Sequence, residues 1–430
     1  MWFASLLTVV LAAIVPASGL RPLAEAAEFD LGAAIDVDAL ADDAYRQLLV
    51  DNVTLVSTRD DLSFGVVQPS PGTFDFARAD AIVDFAVASG MTVRGHDLIG
   101  AGPLPAWITD GAWTAETLGE VLRDHVTEVV SHYAERNPGV ITQWDVVGEA
   151  FLADGTPRPT VWHQVIGVDY IRIAFDAARA ADPDALLFYD DFYDDHAVTQ
   201  DAVDTGTPIT GGATASRSNC ADIPKCVSVQ SAVTTLVGAG VPIDGIGFQA
   251  HLASPDPVDF AAFSSWVGDL GLVWAVTEFD VPLPITEIDN PVFLEFQAAT
   301  YGSALGACVE SPICDTFVTW GITDRHVSDD DGGGFGGALW FDAQDAPKPA
   351  FTAMADVLDA ASVVAATTLP PTTLPTPPTT SGTEADVETS DADTDSPLIA
   401  IAVGAAALGG VALIVAAVRR SRRETTTEQE

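Results

Sequence analysis

The feature of this sequence that most limits its fold is an alternation, repeated eight times, of short β-rich runs with longer amphipathic stretches. The predicted strands are Phe29–Ile35, Val53–Val56, Met91–His96, Ile141–Val147, Ala185–Asp190, Gly245–Ala250, Val273–Phe279 and Thr316–Trp320. The predicted helices are Asp42–Asp51, Phe76–Ser89, Thr117–Arg136, Val161–Ala181, Val227–Ala239, Pro257–Gly268, Asp289–Cys308 and Lys348–Asp359. This succession predicts an α/β fold, a (β/α)8 TIM barrel over residues 20–365. An open doubly wound sheet is the alternative, which the lack of a Gly-rich phosphate loop after the first strand disfavours.

The charge balance limits the partners of the protein. The 430 residues include 18 Lys and Arg against 62 Asp and Glu, a formal net charge of −44. A nucleic-acid partner is excluded, because phosphate recognition depends on basic side chains. Hydrophobic residues make up 48% of the chain and charged ones only 19%, so we expect a large folded core rather than disorder.

The N-terminus has the pattern of a targeting segment. An apolar stretch from Trp2 to Val15 is followed by small residues at 16–19, which predicts a cleaved signal peptide over residues 1–19. An uncleaved anchor is the alternative, but the stretch is shorter than the roughly 20 residues that a spanning helix needs.

The C-terminal region predicts a stalk and a membrane anchor. Residues 366–397 are rich in Thr, Pro and acids, which predicts an extended stalk. Leu398–Val418 contains 21 residues without a charge and is followed at once by four arginines, which predicts a transmembrane helix with a basic cytoplasmic tail at 419–430. The expected location is the cell membrane, crossed once, with the barrel extracellular and the C-terminus cytoplasmic.

The four cysteines fall into two closely spaced pairs. We expect disulfides between Cys220 and Cys226 and between Cys308 and Cys314, since an extracellular domain folds in an oxidising environment. Neither pair carries the Cys/His clustering that zinc requires, and no metal or organic cofactor is predicted.

Polar residues concentrate where the predicted strands end, which in such a barrel is the edge that carries function. Each of the last six strands ends in or near such residues: Arg94, His96 and Asp97; Glu149; Asp190 and Asp191; Gln249 and His251; Glu278 and Asp280; Trp320 and Asp324. Together they predict a carboxylate-rich pocket with aromatic walls, which suits sugar binding.

Two of these residues meet the requirements of glycoside hydrolysis. That reaction needs one carboxyl group to protonate the leaving oxygen and a second, ionised one to meet the charge that develops at the anomeric carbon. Glu149 and Glu278 each follow a buried apolar run, so both are expected at the mouth of the pocket. We predict that they are the catalytic pair.

Five segments carry a resemblance to a known family. They are Val93-Arg94-Gly95-His96, Trp144-Asp145-Val146-Val147, Gly247-Phe248-Gln249-Ala250-His251-Leu252, Thr277-Glu278-Phe279-Asp280 and Thr319-Trp320-Gly321-Ile322-Thr323-Asp324. In that order they resemble the signatures of glycoside hydrolase family 10, the retaining endo-β-1,4-xylanases. The resemblance implies that Glu149 is the acid/base, that Glu278 is the nucleophile and that His251 and Asp280 orient it. We further predict a set of substrate-binding residues, namely His96, Gln249, Trp320, Asp60 and Asp191.

The sequence departs from the family pattern where the sugar would be held. The family usually has Asn before its acid/base, and here that position is Gly148. Its Glu-Asn-Glu-Met-Lys-Trp motif is replaced by residues 59–64, Arg-Asp-Asp-Leu-Ser-Phe, and its Trp-His pair by Gly100 and Ala101. An intact pair of glutamates in an altered pocket suggests a changed sugar more than a lost activity.

We therefore expect a surface-anchored retaining glycosidase that acts on a β-linked polysaccharide, with xylan as the default. A non-catalytic carbohydrate-binding or cell-wall protein on a decayed barrel is the alternative, and an unrelated structural ectodomain is a third. The acids Asp60, Asp61, Asp97, Asp190 and Asp191 are expected to crowd the mouth, so that acidic glycans are repelled and neutral or cationic ones favoured.

Overall fold

The computed structural model describes residues 19–192, 223–252, 260–326 and 335–368. Its strands are β1 (Asp30–Ala34), β2 (Leu55–Ser57), β3 (Thr92–Gly95), β4 (Ile141–Gly148), β5 (Leu186–Phe192), β6 (Gly245–His251), β7 (Val273–Asp280), β8 (Leu283–Pro284), β9 (Cys314–Thr319) and β10 (Phe335–Gly336). Its α-helices are α1 (Arg21–Ala26), α2 (Asp43–Asn52), α3 (Phe64–Val67), α4 (Ala77–Ala88), α5 (Ala106–Thr109), α6 (Ala115–Arg136), α7 (Val161–Ile166), α8 (Asp169–Ala181), α9 (Pro224–Gly238), α10 (Ala261–Asp269), α11 (Pro291–Glu310) and α12 (Pro349–Thr368).

Eight parallel strands close into a barrel in the order β1-β2-β3-β4-β5-β6-β7-β9. Each of the eight predicted strand runs supplies one of these strands, so the predicted (β/α)8 barrel is confirmed. The remaining pair, β8 and β10, forms a short antiparallel ribbon that was not predicted. Parallel pairing aligns the carboxyl ends of all eight barrel strands at one edge, and the candidate site lies there.

The barrel is closed by apolar side chains and by glycines where two strands approach closely. Trp144 and Trp274 are fully buried. A Cβ atom on Gly95 would lie 2.3 Å from the ring of Trp144, and one on Gly247 would lie 1.9 Å from Oδ1 of Asp190. Both contacts are shorter than any side chain allows, so these positions require glycine.

Four of the described helices, α2, α6, α7 and α11, begin after a residue whose side chain accepts a hydrogen bond from a free backbone N–H group. Thr114 forms a capping box with Thr117 at the start of α6, and Asn290 caps α11, whose first residue is Pro291. The single helix predicted over Val161–Ala181 is wrong. Gly167 has φ +82°, a conformation that ends α7, and α8 begins two residues later.

The predictions for the cysteines and the chain ends are tested only in part. Cys308 and Cys314 form a disulfide with their Cα atoms 5.2 Å apart, as predicted. Cys226 is disulfide-bonded, and Cys220, the partner predicted for it, lies outside the described residues. No helix within the described ranges is long and apolar enough to cross a membrane. The predicted signal peptide, nearly all of the stalk and the segment Leu398–Val418 lie outside those ranges.

Candidate active site

Glu278 lies within β7 and is held by two imidazoles, His251 from the neighbouring strand β6 and His96 from just past the end of β3. His251 Nε2 is 3.0 Å from Glu278 Oε2, and His96 Nε2 is 3.5 Å from Oε1. The other ring nitrogen of His251, Nδ1, is 3.0 Å from Asp280 Oδ2. The pairing of β6 with β7 sets Gln249 opposite Glu278 and His251 opposite Asp280, so the sheet itself places this group. Glu278 is only 5% exposed.

Both imidazoles are surrounded by carboxylates. Burial works against a charged ring, but Asp280 and Glu278 raise the pKa of His251 well above its usual value. Burial likewise opposes the charge on His96, whose pKa is nevertheless raised by Asp97, Asp145 and Glu278. These raised pKa values favour the charged form of both rings, in which the nitrogens that face Glu278 act as donors.

A buried polar network lies under the pocket. Arg94 and Asp145 form a fully buried ion pair through two N–H groups, and His96 Nδ1 is 3.0 Å from Asp145 Oδ2. Asp190 accepts hydrogen bonds from Thr277 at 2.7 Å and from Gln249 at 2.9 Å. These contacts fix the rings and strand ends that surround Glu278.

One triplet in this network has the spacing of a metal site. Ligand atoms of His96, Asp145 and Asp190 lie within 4.8 Å of one another. Arg94 donates to both oxygens of Asp145, and Thr277 and Gln249 each donate to one oxygen of Asp190. With those oxygens engaged by protein donors and a guanidinium beside them, the triplet is a poor cation site.

Glu149 has a different setting, one residue beyond β4. Its backbone is in the left-handed region at φ +50°, which is uncommon for a residue with a side chain. Its amide donates to Asp190 O at 3.0 Å, which continues the pairing of β4 with β5. The side chain is 29% exposed, so the carboxyl group is open to a ligand.

Arg158, which the sequence analysis missed, holds Glu149. Its Nη2 donates to Glu149 Oε2 at 2.7 Å, and its Nε donates to the carbonyl oxygen of Glu149 at 2.7 Å. The intervening loop is a small hairpin in which Phe151 pairs with Pro157 and the amide of Arg158 donates to Ala150 O. A turn signal, Asp154-Gly155, lies at the tip of this loop and could have indicated that the chain folds back onto the glutamate.

Trp320 forms an aromatic wall beside the two imidazoles that contact Glu278. Its ring meets His96 edge-to-face with centroids 5.3 Å apart and His251 at 6.1 Å. The guanidinium carbon of Arg59 lies 5.2 Å from the Trp320 centroid, a cation–π contact that the sequence analysis did not predict. Asp60, predicted to bind substrate, is at the exposed rim and lies 3.8 Å from Arg59 Nε.

Several acids expected at the mouth are buried and paired instead. Asp191 is fully buried, accepts a hydrogen bond from Tyr189 at 2.7 Å and forms an ion pair with Lys225. Burial raises the pKa of Asp191 to about 6, although Lys225 opposes this shift. Protein donors contact both of its oxygens, and its contact with substrate stays a prediction.

Asp61, Asp190 and Gln249 are also buried, and the substrate contact of Gln249 stays a prediction. Asp61 is 5% exposed and pairs with Arg78, while Asp190 is fully buried in the network described above. Gln249 is 3% exposed and its amide group donates to Asp190. The acidic mouth is thus smaller than expected, because long-range partners neutralise part of it.

Asp97 remains beside the two glutamates. Its side chain is partly buried and makes no hydrogen bond or ion pair with any described residue. Burial raises its pKa to about 6, with further contributions from Asp145, Glu278 and Glu149 that outweigh the opposing effect of His96.

Two glutamates at the carboxyl edge of a TIM barrel, one between imidazoles and one more open and paired with an arginine, define a glycoside hydrolase type of site. The family model described as "Glycosyl hydrolase family 10" matches residues 19–205 and 218–357. This chain therefore belongs to glycosyl hydrolase family 10, and the predicted resemblance and glycosidase class are confirmed.

Similar proteins carry the name xylanase. Endo-1,4-beta-xylanase C of Phanerodontia chrysosporium is 32% identical over 343 residues, 78% of this chain and 78% of that protein. Endo-1,4-beta-xylanase B of Thermotoga neapolitana is 31% identical over 349 residues, 79% of this chain and 91% of that protein. Among solved structures, xylanase 10B from Thermotoga petrophila RKU-1 in complex with xylobiose aligns with a TM-score of 0.68 at 31% identity, covering 80% of this chain and 98% of that one.

Proposed function

We propose that this protein hydrolyses β-1,4-linked xylan or a closely related neutral glycan by double displacement, with retention at the anomeric carbon. The observation that supports this most directly is the pair of unlike glutamates. Glu278 is buried and contacted by two imidazoles, whereas Glu149 is more exposed, pairs with Arg158 and is open to a ligand.

In the first step, Glu278 attacks the anomeric carbon while the bond from that carbon to the glycosidic oxygen breaks. Glu149 gives its proton to the departing oxygen, and a glycosyl ester of Glu278 forms. In the second step, Glu149 takes a proton from water as the water oxygen attacks the same carbon and releases Glu278. His251 and His96 hold the nucleophile through both steps, and Arg158 holds the acid/base.

The test is turnover of a panel of β-1,4-glycans and aryl β-glycosides by the wild type, Glu149→Ala and Glu278→Ala. Glu128→Ala, an exposed glutamate of α6, is the matched control. We expect Glu278→Ala to be inactive on all substrates, and Glu149→Ala to lose less on aryl glycosides, whose leaving groups need no proton.

A second measurement tests whether Glu278 is the nucleophile. A fluorinated glycoside that slows the second step should label Glu278, as identified by peptide mapping. A label on another residue would refute the assignment of the nucleophile. If the wild type turns over nothing but binds glycans as well as both variants do, the non-catalytic carbohydrate-binding alternative replaces the enzyme.

We further propose that the protein is exported and anchored, with residues 1–19 removed and Leu398–Val418 as the membrane span. The support is the uncharged run of 21 residues with arginines directly after it. Protease treatment of intact cells should release the barrel and leave the C-terminal tail protected. Recovery of the full chain in the soluble fraction would contradict the anchor.

A further inference from the structure

Two glycines leave room for one carboxyl group beside the acid/base. A Cβ atom on Gly100 would lie 1.8 Å from Asp97 Oδ2, and one on Gly148 would lie 3.2 Å from the same oxygen. Asp97 Oδ2 therefore occupies space that a side chain at position 100 would take, and it lies next to the residue that precedes Glu149.

Every other carboxyl group around the two glutamates has a protein partner within the described ranges. The pairs are Asp145 with Arg94, Asp190 with Thr277, Asp191 with Lys225, Asp280 with His251 and Asp60 with Arg59. Asp97 has none, although it is partly buried. A partly desolvated carboxyl group without a partner is unfavourable, which is expected where a ligand supplies the missing donor.

The position of Asp97 indicates which donor this is. The reacting sugar must place its anomeric carbon between Glu278 and Glu149, and its C2 is bonded to that carbon. Hydrogen bonds to the C2 hydroxyl strengthen as the transition state forms and contribute several kcal/mol in glycosidases. Asp97 Oδ2 lies beside Gly148, the residue that precedes Glu149, and the Asp97 carboxyl group interacts electrostatically with both Glu278 and Glu149.

We propose that Asp97 accepts a hydrogen bond from the C2 hydroxyl of the sugar being cleaved and selects substrates that carry a donor there. The inference rests on the proposed function, since it assigns a sugar position to that same pocket. Asp97 is then a specificity-determining residue that the family resemblance did not identify, and it works only because positions 100 and 148 have no side chain.

The ionisation of Asp97 gives a second, independent test of its hydrogen bond to the C2 hydroxyl. With its pKa near 6, the group is largely protonated at pH 5 and ionised at pH 7. A hydrogen bond to a carboxylate is about twice as strong as one to a neutral acceptor. Preference for a C2 hydroxyl should therefore increase between pH 5 and pH 7, whereas a merely structural role of Asp97 gives no such trend.

The experiment compares an aryl β-xylobioside with its analogue that lacks the C2 hydroxyl on the sugar bonded to the aryl group. The full-length protein is assayed as wild type, Asp97→Ala, Asp97→Asn and Asp356→Ala, the last removing an exposed aspartate from α12 as a control. The measured quantity is the ratio of kcat/KM for the two substrates, in which ionisations common to both cancel. Thermal melting of each variant verifies that it is folded.

We expect Asp97→Ala to lower this ratio about 10- to 100-fold, the range for a hydrogen bond to a charged group. Asp97→Asn should lower it less and abolish its rise with pH, and Asp356→Ala should match the wild type. An Asp97→Ala variant that loses activity equally on both substrates overturns the inference while leaving the proposed function intact. A wild type that turns over neither substrate overturns the proposed function, and this inference with it.

Discussion

The two glutamates of this site are held by different kinds of structure. Glu278 lies inside a barrel strand and is contacted by the imidazole of His251 from β6 and that of His96 from just past β3, so the hydrogen bonding of the sheet fixes it. Glu149 lies just past the end of β4 in a left-handed conformation, and one arginine from the following loop contacts it. We call these the nucleophile side and the acid/base side of the pocket.

The difference shows where such a site can change. On the nucleophile side, an altered residue disturbs the pairing of strands and the core beneath them. On the acid/base side, the altered positions Gly100 and Gly148, together with Asp97, lie in loops or at a strand end, where the barrel tolerates change. The departures at Gly100 and Gly148 lie beside Asp97 Oδ2, next to Glu149, whereas in the altered segment 59–64 Arg59 lies against Trp320 and Asp61 pairs with Arg78.

The largest expected effect concerns the buried ion pair beneath the acid/base side. Lys225→Met leaves Asp191 buried without its countercharge, and we expect the free energy of unfolding at pH 8 to fall by about 3–5 kcal/mol. The double variant Lys225→Met/Asp191→Leu should recover most of that loss, since it also removes the stranded charge. Urea unfolding measures the free energy of unfolding of both variants. Equal losses of unfolding free energy in the single and double variants would show that the uncompensated charge of Asp191 is not their cause.

The second prediction concerns the nucleophile side. His251→Gln removes the donor between Glu278 and Asp280, and we expect kcat to fall about 100-fold on xylan and on aryl xylobiosides alike. The pKa of His251 is raised in the folded protein, so its stabilising effect is full below the unfolded value of 6.5 and is lost as pH rises through the raised value. The stability advantage of the wild type over His251→Gln should therefore shrink as pH is increased, and a constant difference would argue against a charged ring.

The two sides also differ in how much the sequence reveals. The nucleophile side could be predicted almost completely, because Gln249, His251, Glu278 and Asp280 lie in two adjacent strands whose apolar patterns fix their register. Predicted strands began and ended within two residues of the observed ones.

The acid/base side could be predicted only in part, because side chains from distant segments decide it. Asp191 looks like a mouth residue until Lys225 covers it from 34 positions further along the chain. Arg158 reaches Glu149 only because a hairpin reverses the chain, and the side chain of Asp97 fits against Gly100 and Gly148 only in three dimensions. Local periodicity contains none of this information.

The third prediction tests the weaker support of the acid/base. Arg158→Gln should leave the fold intact and lower kcat/KM on xylan about 10-fold, because a misplaced acid donates its proton less effectively. On an aryl xylobioside with a good leaving group the loss should be smaller. Arg172→Gln, which removes an exposed arginine of α8, is the control. Equal losses on both substrates would show that Arg158 does not act through proton donation.

The smallest expected effect concerns the cost of keeping Asp97 without a protein partner. Its pKa rises from 3.8 to about 6 on folding, so the folded protein holds this proton more tightly than the unfolded chain. The ionised group therefore lowers the free energy of unfolding by an amount that is absent below pH 3.8 and complete above pH 6, about 3 kcal/mol at most.

Asp97→Asn removes that penalty, so we expect the variant to be about 1–2 kcal/mol more stable than the wild type at pH 8 and equal to it at pH 3.5. Urea unfolding at pH 3.5, 6 and 8 measures the trend, with Asp356→Asn as the control. A gain of equal size at all three pH values would show that the charge is not its source. A variant that is more stable at pH 8 but less selective for the C2 hydroxyl would show that the acid/base side keeps an unfavourable charge because the substrate needs it.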